Sequence, residues 1–402
     1  MSGKQYSTQD ITNGVSNSIK HTARALFRGI THKRRLDGID AKIVISGTRG
    51  KSSLTKWTHD ILYDREYDVM AKITGNNPIT VHNTVKKPIL RGSRVRLYEN
   101  ARELSQHTPK DVMILENQAI SPYTTRMFNS VFSHPDVVVL SNIREDHLST
   151  LGADRYKVAR GLVRAIPEGT HVVNAEQDPN LQEYIETEVE RRGATVSHVS
   201  VPDKYANIPG IESVYALNEI LRAIGLNPLS DDKLAVYRKK MSVEWTRLSN
   251  GRIHNAAEVN DVQSTEMIRQ ALVSKDPSIG KITPFVYLRG DRRGRTVSFL
   301  HYLTELYEDG AIDDVHIAGE TTKAFSQKAD FPVIIHDDTK DPADEVLGSL
   351  LAEERPVIIM GNTVADWMRD LERAIDARTV DTDQLVGLTR GEKSEQQPVV
   401  TR

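Results

Sequence analysis

The chain has 402 residues, of which 38% are hydrophobic and 27% charged, with a formal net charge of -2 and no cysteine. That length exceeds one ordinary core, so two domains are expected. Balanced charge offers no broad surface for nucleic acid. The absence of cysteine excludes disulfides, thiolate metal sites and a cysteine nucleophile, and no run approaches the roughly 18 apolar residues of a membrane span.

The first residues, MSGKQYSTQD, are polar and lack the apolar core of a signal peptide, so a cytoplasmic location is expected. Residues 1–40 read as a basic helical arm. Ile11, Val15, Ile19, Ala23, Leu26 and Ile30 recur at roughly helical spacing. Lys20, Arg24, Arg28, Lys33, Arg34 and Arg35 fall between Ser18 and Leu36 with no acidic residue among them. Such a segment either lies peripherally on an anionic membrane, docks on a partner, or packs as a solvated helix on its own domain.

From 41 to 248, the strand candidates AKIVIS, DVMILE, DVVVLS and HVVNA alternate with helical stretches, as in a parallel sheet flanked by helices. A second set, PFVYLRG, DDVHIAG, PVIIHD and PVIIMGN, marks a smaller α/β domain over 249–377. The fold class is therefore α/β: a phosphate-loop ATP-binding domain followed by a Rossmann-like domain. Residues 378–402 are polar and aperiodic and read as a disordered tail.

The first strand candidate ends at Ser46 and runs into Gly47-Thr48-Arg49-Gly50-Lys51-Ser52-Ser53. Glycines let backbone N–H groups approach phosphate oxygens, and the following helix presents its positive end. Lys51 has the reach for the β and γ phosphates, and the Ser52 hydroxyl suits Mg2+. The usual spacing of such loops wants glycine where this chain has Ile45, so the loop is a shorter one beginning at Gly47. Mg2+ also takes carboxylates. DVMILE ends in Glu116, and DVVVLS runs into Asn142-Ile143-Arg144-Glu145-Asp146-His147 at the same sheet edge. His147 is a candidate metal ligand or general base there, where a lone residue would read as an ordinary strand-end polar group.

Together these motifs resemble the Mur ligase superfamily, whose ATP domain carries Gly-Thr-x-Gly-Lys-Ser/Thr, a strand-end Glu and Asn-x-x-x-Asp-His. Within it the chain is most similar to the poly-γ-glutamate (capsule) synthetase ligase family, CapB/PgsB. The likeness continues through TGNNPITVHNT and KKPI, then NAAEVNDVQST (255–265), LRGDRRGRT (288–296), IAGETT (317–322) and MGNT (360–363). It spans roughly residues 41–375.

The resemblance implies an ATP-dependent amide ligase with ATP and Mg2+ as cofactors, forming an acyl phosphate and joining amino acids, glutamate foremost, to an acyl acceptor or growing polymer. It implies that Lys51, Glu116 and His147 are catalytic and that Ser52, Glu116 and His147 hold or orient metal. It further places Asn260, with Asp261, in an interdomain motif, and Asp291 and Arg292 against the nucleotide. Only about 40 residues precede the loop, so a cell-wall precursor bound by a UDP-sugar domain is not expected and the capsule type is. The basic arm stands where the capsule ligases carry an apolar anchor. Lys157 is near the position of the superfamily's carbamylated lysine. The resemblance leaves room for a membrane subunit of a polymer synthase and for a homo-oligomer. Two other readings keep the phosphate loop: a folylpolyglutamate-synthetase-like ligase acting on a cofactor, and a non-ligase ATPase or assembly subunit.

Overall fold

The computed structural model describes residues 29–74, 78–90, 96–119, 121–144, 154–257, 259, 261–361 and 365–380. The chain divides into two compact units, 1–203 with 210–240, and 204–209 with 241–402.

The first unit is built on a sheet of β1 (Ala41–Ser46), β2 (Val69–Ile73), β3 (Ile79–His82), β4 (Val85–Pro88), β5 (Val112–Glu116), β6 (Val137–Leu140), β7 (His171–Asn174) and β8 (Thr195–His198), in the order β4-β3-β2-β5-β1-β6-β7-β8. The β2-β3-β4 edge is antiparallel, and every other neighbouring pair is parallel. Parallel strands covered on both faces need apolar side chains in succession. Ile43, Val44 and Ile45 in β1 and Val139 and Leu140 in β6 meet that demand with no exposed surface. Helix Lys51–Tyr63 buries Leu54, Trp57, Thr58, Ile61 and Leu62, a spacing that presents one face to the sheet.

β2 breaks the apolar pattern with Lys72, which is fully buried. Its ammonium lies 2.9 Å from Glu99 Oε1 and donates to Asn100 Oδ1 at 2.7 Å and Gln118 Oε1 at 2.5 Å. A buried cation persists only when paired and hydrogen-bonded in this way.

Of the basic arm, residues 29–40 are described, and 29–37 are helical. Leu36 enters the core, and the buried His32 ring bonds the Phe132 carbonyl oxygen at 3.1 Å. This part packs on its own unit; the remainder of the arm, 1–28, lies outside the described residues.

The second unit holds β9 (Thr246–Leu248), β10 (Gly251–Asn255), β11 (Thr283–Leu288), β12 (Val315–Gly319), β13 (Val333–Ile335) and β14 (Val357–Met360), in the order β13-β12-β11-β14-β10-β9. Only β9 runs antiparallel to its neighbour. Helix Arg293–Glu308 buries Phe299, Tyr302, Leu303 and Leu306. Helix Ala343–Leu351 does the same with Val346, Leu347, Leu350 and Leu351. Both read as amphipathic elements covering a parallel sheet. Of the polar C-terminal segment, Thr379 bridges to Leu248, while 381–402 lie outside the described residues. Among the described residues no helix is long and apolar enough to cross a membrane.

Candidate active site

β5, β1 and β6 are adjacent and parallel, so their C-terminal ends form one edge. Open α/β sheets bind ligands at that edge. The chain leaves β1 there through Gly47–Gly50 and enters the helix at Lys51. Gly47 has φ +112°, and a Cβ on it would lie 2.4 Å from Ser141 Oγ and 2.8 Å from the Ser141 nitrogen. Gly50 caps the helix at φ +77°, where a Cβ would meet Ser213 Oγ at 2.7 Å. Both positions demand glycine, for backbone conformation and for space.

The end of β6 stitches the loop in place. Thr48 N donates to the Asn142 carbonyl at 2.9 Å, and Arg49 N donates to Asn142 Oδ1 at 2.9 Å. Ser141 Oγ donates to the Arg49 carbonyl at 2.7 Å, and Arg144 N donates to Thr48 Oγ1 at 3.0 Å. Lys51 Nζ reaches back over the loop to the carbonyl oxygens of Gly47 and Thr48, each at 2.9 Å. First-turn N–H groups have no intrahelical acceptor, so those of Ser52 and Ser53 suit an anion at the positive helix end.

Across the loop, Ser52 Oγ sits 3.0 Å from each carboxylate oxygen of Glu116. Glu116 is buried, and its Oε2 also accepts from Thr74 N at 2.6 Å. A hydroxyl and a carboxylate converging beside a phosphate-type loop form an oxygen-only donor set that fits Mg2+.

Two carboxylates that sequence reasoning passes over hold this edge together. Glu212, at the start of helix Glu212–Ala223, is 4% exposed and accepts from Asn142 Nδ2 at 2.9 Å. Burial pushes its carboxyl up from the ordinary range, although Arg144 and Asn142 pull the other way. Glu176 accepts from Ile143 N at 2.7 Å and from Arg155 Nη2 at 2.9 Å, while Arg155 Nε donates to the Ile143 carbonyl at 2.9 Å. So Asn142 is held through its side chain and Ile143 through its backbone.

The structure thus brings together Gly47, Thr48, Arg49, Gly50, Lys51, Ser52, Ser53, Glu116 and Asn142. Asp146, His147 and Asn260 lie outside the described residues. Lys157 pairs with Asp154 at 3.2 Å and keeps 58% of its side chain exposed. In the second unit Asp261 caps helix Val262–Ser274, accepting from Ser264 N at 2.8 Å. Asp291 and Arg292 follow β11 at the C-terminal edge of that sheet. There Arg289 holds Asp291 through two bonds of 2.8 Å, and Arg292 Nε stands 3.8 Å from the same carboxylate. Asp314, His316 and Glu353 also gather in this unit. Arg355 donates to both oxygens of Asp314 at 3.0 Å and to Glu353, so a guanidinium already balances that cluster.

Residues 45–216 match the Mur ligase middle domain, and residues 242–378 match the poly-gamma-glutamate synthase CapB C-terminal domain. The PGA synthase CapB of Bacillus subtilis (strain 168) is 22% identical over 339 residues, covering 78% of this chain and 82% of that protein. The capsule biosynthesis protein CapB of Bacillus anthracis is 26% identical over 174 residues, covering 41% of this chain and 36% of its own length. Among solved structures, a Yersinia pestis CO92 bifunctional folylpolyglutamate synthase/dihydrofolate synthase, complexed with AMPPNP and Mn ion, shares the fold. Its TM-score is 0.57 at 18% identity, with 88% of this chain and 93% of that one covered. With both halves matched in order over this fold, the chain is a CapB-like member of the Mur ligase superfamily, a family of ATP-dependent amide ligases.

Proposed function

We propose that this protein joins glutamate, by amide bonds, to a growing γ-glutamyl chain at the expense of ATP. The observation that carries the reading is the Lys51–Ser52–Glu116 grouping at the switch-point edge, in a chain whose second half matches a poly-gamma-glutamate synthase domain.

A carboxylate oxygen of one substrate attacks the γ-phosphorus of ATP, and the bond to the β-phosphate bridging oxygen breaks, giving an acyl phosphate and ADP. The amine nitrogen of the second substrate then attacks the acyl carbon; phosphate leaves and the nitrogen loses a proton. Positioning and charge neutralisation dominate such a transfer. The first-turn N–H groups of Ser52 and Ser53, with the Gly47 and Gly50 backbone beside them, cradle the β and γ phosphates, while Thr48 N and Arg49 N stay committed to Asn142. Lys51 exchanges its two loop carbonyls for phosphate oxygens and neutralises the transferring group.

Ser52 and Glu116 would hold Mg2+, with His147 as a further ligand or orienting group; the ion supplies charge stabilisation at the phosphates. Glu212, through Asn142, keeps the Arg49 N–H aimed within the loop. Asn260, Asp291 and Arg292 are proposed as nucleotide-facing groups of the second unit. A folylpolyglutamate-type activity shares the fold, but the CapB-type second half favours a glutamyl polymer over a cofactor acceptor. Peripheral membrane association through the basic arm, a membrane subunit and self-association remain part of this proposal.

The test is a purified-protein screen of amino acids and γ-glutamyl acceptors with ATP and Mg2+, read by product mass. Glutamate-dependent ADP release with a matching amide supports the reading. Equal ADP release with every amino acid and no amide overturns it in favour of a plain ATPase.

A further inference from the structure

On the opposite side of the first unit from the loop, a cleft of about 600 Å³ is lined by Arg126, Arg164, Arg191 and Arg192 together with Glu168 and Glu188. Its segments precede β6, β7 and β8, placing it toward the N-terminal ends of those strands. Its floor includes Ala165 and Ile166, both buried, and the Asn129 side chain donates to the Ala165 carbonyl at 2.9 Å. Arg191 pairs with Glu188. Among the described residues no carboxylate pairs with Arg126, Arg164 or Arg192, in a chain whose charges nearly cancel and whose other arginines are widely paired. Arg164 and Arg191 stand at helix C-termini, where the helix dipole favours a cation. Arg126 also falls in the last turn of its helix, so the dipole bears on three of the four.

We propose that this cleft binds the polyanionic γ-glutamyl chain at a distance from the reacting end. The proposal rests on the ligase reading above. Guanidinium forks match carboxylates in a planar, two-point fashion that lysines do not. A γ-linked glutamyl residue offers one carboxylate and two backbone methylenes, which suits charged walls over an apolar floor. Concavity and the two glutamates in the wall disfavour a flat anionic bilayer. Among the described residues no aromatic side chain lines the cleft, so a nucleic acid finds no stacking platform there.

The geometry adds a length rule. Strands of four to six residues separate the two edges of the sheet by about 13–20 Å. A single amino acid or a dipeptide at the phosphate loop cannot reach the cleft, whereas a long chain can occupy both. Tethering of this kind raises the effective concentration of the chain end.

The test uses the full chain and the triple variant Arg126→Ala/Arg164→Ala/Arg192→Ala, with a fluorescently labelled long γ-glutamyl chain read by anisotropy. Phosphatidylglycerol vesicles and inorganic phosphate serve as competitors. The variant is expected to bind the chain at least about tenfold more weakly. Its KM for long acceptors rises, while its KM for a γ-glutamyl dipeptide acceptor and its melting temperature stay unchanged. Equal chain binding by both proteins overturns the proposal, as does displacement of the labelled chain by phosphatidylglycerol vesicles or inorganic phosphate at concentrations where unlabelled γ-glutamyl chain does not displace it. If neither protein forms an amide, the ligase reading fails while the anisotropy comparison still judges the cleft.

Discussion

Replacing Glu212 separates its hydrogen-bonding role from its charge. Glu212→Ala leaves Asn142 Nδ2, otherwise 2.9 Å from the carboxylate, with only a 3.4 Å contact to the Arg49 carbonyl. An orphaned buried amide costs about 1–3 kcal/mol, and the loop loses the brace that aims Arg49 N. Glu212→Gln keeps an acceptor for Asn142 and removes a charge that burial disfavours. The carboxyl is shifted up even with Arg144 at 3.8 Å, so desolvation outweighs attraction there.

The sign follows from linkage. With the folded pKa raised above the unfolded 4.5, the folded state holds its proton longer. Stability is therefore lost as pH rises from the unfolded pKa through the folded one. Urea unfolding at mildly acidic and at neutral pH should show Glu212→Ala less stable by about 1–3 kcal/mol. Glu212→Gln should equal or exceed the wild type, with its advantage larger at neutral pH. The KM for ATP should rise in the Ala variant and hold in the Gln variant. If Gln is as destabilising as Ala, or its advantage shrinks as pH rises, the reasoning is wrong.

Lys51→Ala should cut ATP turnover by at least about 100-fold, the scale of losing one charge-stabilising donor, with little change in melting temperature; steady-state rates beside a thermal melt check this. Ser52→Ala and Glu116→Gln should each shift the Mg2+ activation curve to higher concentration, and an unchanged titration in both would remove them from the metal site. Gly47→Ala should lose solubility or several kcal/mol of stability, because its new Cβ would meet the Ser141 backbone nitrogen at 2.8 Å at a φ of +112°. Wild-type denaturation of that variant would show that the loop can relax.

How legible each part is depends on where its interactions close. β1, β5, β6 and β7 stand out as apolar runs because both their faces are covered. β2 hides because Lys72 interrupts VMAKI, and its partners Glu99 and Asn100 lie on a separate helix. β9 and β10 hide because Arg247, Arg252 and His254 make them read as polar. The phosphate loop and Glu116 are legible because each sits at a strand end, where sequence position dictates location. Glu212 reads as an ordinary first-turn acid on an amphipathic helix. Its role depends on Asn142, 70 positions away, which no local pattern connects to it. Glu176 is silent for the same reason: its partners, Ile143 N and Arg155, meet it only through tertiary packing.

The most direct test of the central claim is the stoichiometry of a single reaction: purified protein, ATP, Mg2+, glutamate and a γ-glutamyl acceptor, with nucleotides and products quantified together. One ADP and one phosphate should appear for each new amide bond, and all three should fall by at least about 100-fold when Lys51 is replaced by alanine. AMP and pyrophosphate in place of ADP, or ADP release that ignores glutamate, would contradict the account.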